Sequence, residues 1–295
     1  MQKSPMVTVI CLCYNHAEFV VETLNSVLNQ SYPNVELIIA DDCSTDNSVE
    51  VIENWLLNHP EILFIKNEKN LGNTKTFNKA FRHSKGDYLI DLAADDLLLS
   101  ECISKQVNAF EVSDLDNLGI VYGNVANILE DNSFDSYYFP VDETKKVTGK
   151  IARGDIYLEV LTGEALCSVS SMVKRSVFEK LGGYDENLAY EDLDFWIRTS
   201  RTYNFEFIDD ILVQKRIVKT SLTHDFHRKN SKRSRIVNYS TYLIIKKAYQ
   251  LNKTKEEDLA LGKRVNYELL LALKNNDFLL LSKYILLKIK KIALN

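Results

Sequence analysis

VTVICLCYNHAEFVVETLNSVLNQSYPNVELIIADDCSTDNS, residues 7–48, is the stretch from which the fold can be read. Residues 7–13 (VTVICLC) and Val35–Ala40 (VELIIA) are short unbroken apolar runs rich in β-branched side chains, the pattern of parallel strands covered on both faces. Between them Ala17, Val20, Val21, Leu24, Val27 and Leu28 recur at three- and four-residue steps, so they share one face of a helix, and Pro33 follows its end. The unit is strand, helix, strand. After Asp42 the stretch CSTDNSVEVIENWLLNH offers Ser44, Thr45 and Asp46 as N-caps, then Val49, Ile52, Trp55 and Leu56 on one helical face. A third strand is expected at Ile62–Lys66, then the loop NEKNLGN, a helix over Lys75–His83 and a fourth strand at Tyr88–Leu92. Strands alternating with helices define an α/β layer fold, Rossmann-like, with a mostly parallel sheet flanked by helices.

The second half is less regular. Gly119–Ala126 reads as a strand, residues 132–146 as a polar loop with aromatic residues, and Ile156–Leu161 as a short helix. Ser168–Val173 reads as a strand ahead of a helix starting near Arg175. From about Arg228 the pattern is helical, over Tyr239–Leu251, Glu256–Lys274 and Phe278–Leu294. A boundary near residues 226–230 divides an α/β domain, 1–226, from a basic helical C-terminal extension, 227–295.

Composition narrows the class. In 295 residues, 45% hydrophobic and 26% charged content is that of a folded protein, not of a disordered or disulfide-scaffold chain. The five cysteines (Cys11, Cys13, Cys43, Cys102, Cys167) are dispersed and form no CxxC, which fits a reducing cytosol and no zinc site. MQKSP runs directly into the first strand without a basic n-region, so no secretory signal is expected. The net charge of −5 hides an asymmetry: residues 228–295 carry 16 Lys+Arg against 5 Asp+Glu, and residues 1–227 carry 20 against 36. The acidic part must therefore hold an anionic partner through a metal or local geometry, whereas the tail can meet an anionic surface directly.

In an open α/β sheet, ligands bind beyond the carboxyl ends of the strands. The residues there are Tyr14 and Asn15, Asp41 and Asp42, Asn70 and Gly72, and Asp95 and Asp96. Four acids on one rim repel one another unless a cation or a donor-rich ligand joins them. A hard divalent ion bridging diphosphate oxygens satisfies both charges.

The ordered set formed by residues 7–48, NLGNTKTFNKAF, DYLIDLAADD and GGYDENLAYEDLDFWIR resembles the family 2 glycosyltransferases of the GT-A fold, over about residues 6–225. The resemblance implies that Tyr14, with Glu18 nearby, holds the nucleobase of a nucleotide-sugar donor, and that Asp41 and Asp42 hydrogen-bond the base, usually uracil. It implies Asn70, Gly72 and Asn78 as further donor-site residues, and Asp95 and Asp96 as the carboxylates that bind Mg²⁺ or Mn²⁺ on the diphosphate. The later Glu191–Asp192 pair then supplies the general base, assigned to Asp192, with Glu191 orienting the acceptor or supporting it and exchanged roles as the alternative. Two departures stand out. AADD replaces DADD, so Ala93 cannot contact the ribose and Asp95 is the substitute; and Arg216 is followed by Ile217 and Val218 where many members carry a His, leaving His224 as a substitute ligand.

Each assignment has a plainer rival. Asp41 and Asp42 also suit capping of the turn that follows, Asp95 and Asp96 a solvated helix start, and Glu191 and Asp192 ordinary first-turn acids. Asn70, Gly72 and Asn78 suit a loop and cap, and His16 and His59 have no role on sequence grounds. A dehydrogenase is disfavoured for want of a GxGxxG after a strand, and a sugar-nucleotide pyrophosphorylase because CYNHAEF is no glycine-rich basic loop. The expectation is an inverting, metal-dependent enzyme that moves a sugar, from a UDP-sugar, to a glycan or lipid-linked saccharide acceptor in bacterial surface polysaccharide synthesis. The rival of another class is a non-catalytic nucleotide- or glycan-binding module of the same fold. Residues 278–294 (FLLLSKYILLKIKKIAL) hold four lysines and no acid, the pattern of a helix lying on an anionic membrane surface, with packing on protein as the alternative. The expected location is the cytoplasm, peripheral on the inner face of the membrane; a homodimer stays open, and nucleic acid is not an expected partner.

Overall fold

The structure, a computed structural model, describes residues 4–163, 166–218 and 225–294. Four parallel strands form the first half: β1 (Val7–Cys13), β2 (Val35–Asp41), β3 (Leu63–Lys66) and β4 (Tyr88–Ala93). Helices α1 (Val20–Leu28), α2 (Ser48–Leu56) and α3 (Asn73–Phe81) connect them. β1 lies between β2 and β4, with Val7 opposite Val35 and Tyr88, and Leu12 opposite Ala40 and Ala93. Val9, Ile10 and Cys11 are fully buried, because a central parallel strand is covered on both faces. Burying each such valine or isoleucine contributes roughly 1.5–3 kcal/mol. Buried Thr8 turns its hydroxyl to use, donating to Glu36 Oε2 at 2.6 Å and accepting from Gly86 N at 2.8 Å. A Cβ on Gly86 would sit 2.5 Å from Thr8 N, so the turn into β4 requires glycine.

The remaining elements are β5 (Leu97–Leu98), α4 (Cys102–Val112), β6 (Leu118–Ile128), β7 (Phe134–Tyr137), α5 (Tyr157–Thr162), β8 (Met172–Lys174), α6 (Arg175–Lys180), α7 (Asp192–Ser200) and β9 (Asn204–Arg216). Three helices follow, α8 (Lys232–Leu251), α9 (Lys255–Lys274) and α10 (Phe278–Leu294). Among the described residues the sheet runs β3-β2-β1-β4-β8-β6-β9-β5, with β7 paired to β6. β8 is antiparallel to both β4 and β6, and β9 returns parallel to β6.

Several expectations are corrected here. The polar loop at 132–146 contains β7. Ser168–Val173 is a 3₁₀ turn over Ser168–Ser170 followed by β8, because the Ser170 hydroxyl donates to Gly123 O at 2.7 Å and holds the turn against β6. β9 and α4 were not expected, and α8 starts at Lys232 rather than Tyr239. β9 escapes a pattern reading because Glu206, Asp209 and Asp210 interrupt its apolar residues. Its structure tolerates Glu206 because Arg153 Nε at 2.6 Å and Ser113 Oγ at 2.6 Å both donate to it.

By its contacts the chain divides into two compact units. The first holds Met1–Asp155, Cys167–Tyr184 and Tyr203–Ile217, and thus the whole sheet. The second holds Ile156–Leu166, Asp185–Thr202 and Val218–Asn295, and is helical. Its core includes Val237, Ile244, Ile245 and Ala248 of α8, Leu261 and Val265 of α9, and Leu280 and Tyr284 of α10. Thr254 caps α9, its hydroxyl accepting from Glu257 N at 3.2 Å while Glu257 Oε2 accepts from Thr254 N at 3.2 Å. No described helix is long and apolar enough to cross a membrane.

Candidate active site

The first unit's site is built where β1 to β4 end. Past each strand the backbone pairing continues, with Asp42 N on Cys13 O, Asn67 N on Asp41 O and Ala94 N on Leu12 O, each at 2.9 Å. This pairing brings the residues following β1, β2, β3 and β4 to one edge. Tyr14 keeps 41% of its surface exposed there. Asn15 adopts φ 60, and its Oδ1 accepts from Thr45 N at 2.7 Å, tying the loop after β1 to the start of α2. Glu18 and Asn70 are exposed on their loops.

The two acids after β2 do different work. Asp41 accepts from Ser44 N at 2.9 Å and from the Ser44 hydroxyl, the capping role weighed from sequence. Asp42 organises the loop after β3. Its Oδ1 accepts from Asn67 Nδ2 at 2.9 Å, Leu71 N at 2.8 Å and Thr76 Oγ1 at 2.9 Å, and its Oδ2 from Gly72 N at 2.8 Å. Lys79 Nζ completes the network on Asn67 Oδ1 at 2.8 Å. Gly72, at φ 85, starts α3 from a conformation that L side chains rarely adopt. Asn78 lies buried away from solvent, its amide bonded to both the N and O of Tyr184. Asn67 and Thr76 were missed from sequence, where they read only as loop and helix residues.

Asp95 and Asp96 are 7% and 4% exposed. Burial raises both carboxyls above the usual range; the charge of Asp95 drives Asp96 further up, while the His16 imidazole works against the rise at Asp95. His16 Nδ1 lies 3.5 Å from Asp95 Oδ1 and, although buried, has no hydrogen-bond partner. Arg216, at the end of β9, is the hub behind this pair. Its N donates to Asp96 Oδ1 at 2.9 Å, its Nε to Asp95 O at 3.1 Å, and its guanidinium reaches Glu22 Oε2 at 2.9 Å and Asn132 Oδ1 at 2.5 Å while resting over the Phe19 ring. Among the described residues no three His, Cys, Asp or Glu side chains converge to hold a metal unaided. Two buried carboxyls beside an orphaned imidazole nitrogen nevertheless fit a divalent cation that takes its other ligands from a bound phosphate.

Glu191 and Asp192 belong to the second unit. Glu191 is the N-cap residue of α7 and Asp192 its first residue, half-buried, with Oδ1 accepting from Leu193 N at 2.6 Å. The deeply buried acid of EDLD is Asp194, paired with Arg198 Nε at 2.7 Å and Lys247 Nζ at 2.9 Å, which fastens α7 to α8. His224 lies outside the described residues.

The chain belongs to glycosyl transferase family 2, whose family profile matches residues 8–182. It is 34% identical over 221 residues to an uncharacterized glycosyltransferase of Methanocaldococcus jannaschii, covering 72% of this chain and 71% of that protein. It is 27% identical over 214 residues to chondroitin synthase of Escherichia coli, covering 72% of this chain and 29% of that one. A mannosyltransferase from Pyrobaculum calidifontis, solved with GDP-Man and Mn²⁺, superposes with a TM-score of 0.63 at 18% identity, covering 100% of this chain and 77% of that one. S. aureus TarS residues 1–349 with UDP-GlcNAc gives 0.65 at 16% identity, covering 87% and 70%. The fold is accordingly that of the GT-A glycosyltransferases, a mostly parallel sheet flanked by helices with helices at the C-terminus.

Proposed function

We propose that this chain is an inverting glycosyltransferase that moves a sugar from a UDP-sugar to a glycan or lipid-linked saccharide acceptor in surface polysaccharide assembly. The observation that carries the reading is the pair of buried carboxyls, Asp95 and Asp96, on the same strand-end rim as the exposed Tyr14 ring and the Asp41–Asp42 acids. A ring, acceptors for the base and a cation site are what a nucleoside diphosphate needs. The GDP-mannose and UDP-GlcNAc held by the two structural neighbours support a nucleotide-sugar donor, and chondroitin synthase supports a polysaccharide product.

In this reading Tyr14 and Glu18 hold the base and Asp41 and Asp42 bond its polar edge, with Asp42 also fixing the Asn70–Gly72 loop. Asp95 and Asp96 would hold Mg²⁺ or Mn²⁺, and the bound ion would supply positive charge to the leaving diphosphate. Asp192 takes the proton of the acceptor hydroxyl as that oxygen attacks the anomeric carbon opposite the departing diphosphate, and Glu191 orients the acceptor. The enzyme works in the cytoplasm at the inner face of an anionic membrane, which α10 contacts.

Titration calorimetry with UDP, GDP, CMP and dTDP, each with Mn²⁺ and again with EDTA, tests the donor class. Selective binding of UDP that EDTA abolishes is expected; binding unaffected by EDTA removes the metal from the reading. Asp192→Asn should keep UDP affinity while turnover falls about a hundredfold, the scale of a lost general base. Undiminished turnover removes Asp192 from that role, and nucleotide binding without turnover in the unaltered protein identifies a non-catalytic module.

A further inference from the structure

Sequence alone assigns His16 nothing, yet the structure sets its ring against the acidic rim. Asn15, the residue before it, turns the chain at φ 60, and His16 N donates to Ser48 Oγ at 3.0 Å, so the backbone carrying the imidazole is held from both sides. Nδ1 then faces Asp95 Oδ1 at 3.5 Å without bonding to it or to any other group. A buried ring nitrogen left without a partner carries an uncompensated desolvation cost, which a ligand on that nitrogen removes. Two donors that each stand about 2.1 Å from one cation lie about 3.0–3.5 Å apart, as the bond angle opens from octahedral toward tetrahedral. The 3.5 Å separation of Nδ1 and Oδ1 lies at the upper end of that range, so a closing movement of about 0.5 Å brings the two onto one octahedral ion.

We propose that His16 is a nitrogen ligand of the divalent cation held at Asp95, so that this site binds the metal through mixed nitrogen and oxygen donors. The proposal rests on the metal-assisted transfer described above. It predicts a preference for Mn²⁺ over Mg²⁺, because imidazole suits borderline transition ions better than Mg²⁺. A neighbouring cation would act in the opposite sense: an imidazolium that merely balances Asp95 would compete with the metal, and its removal would tighten metal binding.

Pulsed electron paramagnetic resonance of the whole protein with Mn²⁺ and UDP tests this without a variant. Modulation from a directly coordinated ¹⁴N is expected. In a parallel titration, His16→Ala should lose that modulation and weaken Mn²⁺ binding by about tenfold or more, with Mg²⁺ binding weakened less, while the circular dichroism spectrum reports the fold. Bound Mn²⁺ without ¹⁴N modulation, or unchanged or tighter Mn²⁺ binding in His16→Ala, overturns the role of His16 and leaves the metal reading standing. Absence of Mn²⁺ binding altogether overturns both.

Discussion

At Asp42 one carboxylate accepts four hydrogen bonds, from two side chains and two backbone N–H groups, three of them on Oδ1 and one on Oδ2. Its charge strengthens each bond, and the loop from Asn67 to Thr76 takes its shape from that one acceptor. Asp42→Asn is the informative change because it preserves volume while replacing an acceptor oxygen with an NH₂ that faces N–H donors. Hydrogen bonds to a charged group contribute about 1.5–3 kcal/mol each, so a loss of about 3 kcal/mol or more in unfolding free energy is expected. Donor affinity should fall with it, since Gly72 and Asn70 ride on the same loop. Denaturant unfolding and UDP titration check the two effects; a stable variant with unaltered UDP affinity would show that the loop holds its shape without the network.

Among the elements, α9 carries a titration that the folded state imposes. Glu268 is buried, and burial raises its carboxyl from 4.5 to about 7, with the Arg264 guanidinium, 3.8 Å away, opposing the rise. The buried Tyr284 hydroxyl of α10 and Tyr190, ahead of α7, are in electrostatic reach of the same group. Between pH 4.5 and about 7 the folded chain therefore binds more protons than the unfolded one, so stability falls as pH rises through that window and the cost is complete above it. At 1.36 kcal/mol per unit the cost is roughly 3 kcal/mol. Glu268→Gln should match the parent near pH 4.5 and exceed it at pH 8, so the difference in unfolding midpoint should grow with pH; a difference that does not vary with pH would place the carboxyl in water. Nothing in the local pattern of α9 announces this, because burial of Glu268 depends on α10. The same distinction separates what was legible from what was not. β1 to β4 and α1 to α3 could be read because each carries its own periodicity, and the rim acids because the strand ends fix their place. β9 could not, since Glu206 belongs in a strand only once Arg153 and Ser113 are folded against it, and neither could Asn67, Thr76, His16 or Arg216, whose partners are distant in sequence.

Across the whole chain the charge is unevenly spent, with the acids before His227 and the net positive charge after it. Under the proposed function the two parts divide the work, a cation site in the acidic part serving an anionic donor and the basic helical tail meeting an anionic surface. In α10, Phe278, Leu279, Ile285, Leu286 and Ile289 are all exposed, Leu279 by 71%, and Leu270 and Leu273 of α9 are exposed as well. Lys274 and Lys288 are exposed on the same two helices. Apolar side chains in water beside cations are stabilised by insertion at an interface of anionic headgroups, at about 0.8 kcal/mol per buried CH₂ plus about 1 kcal/mol per lysine near the surface. Replacing Leu279, Leu286 and Ile289 together with serine leaves the buried Leu280 and Tyr284 in place, so the helical unit should keep its stability. Cosedimentation with phosphatidylserine-containing vesicles should then drop by an order of magnitude or more, whereas neutral vesicles should capture little of either protein. High salt should weaken the parent's binding, because the lysine contribution is screened while the apolar one is not. Equal sedimentation of parent and triple variant would assign these side chains to contact with protein instead of lipid.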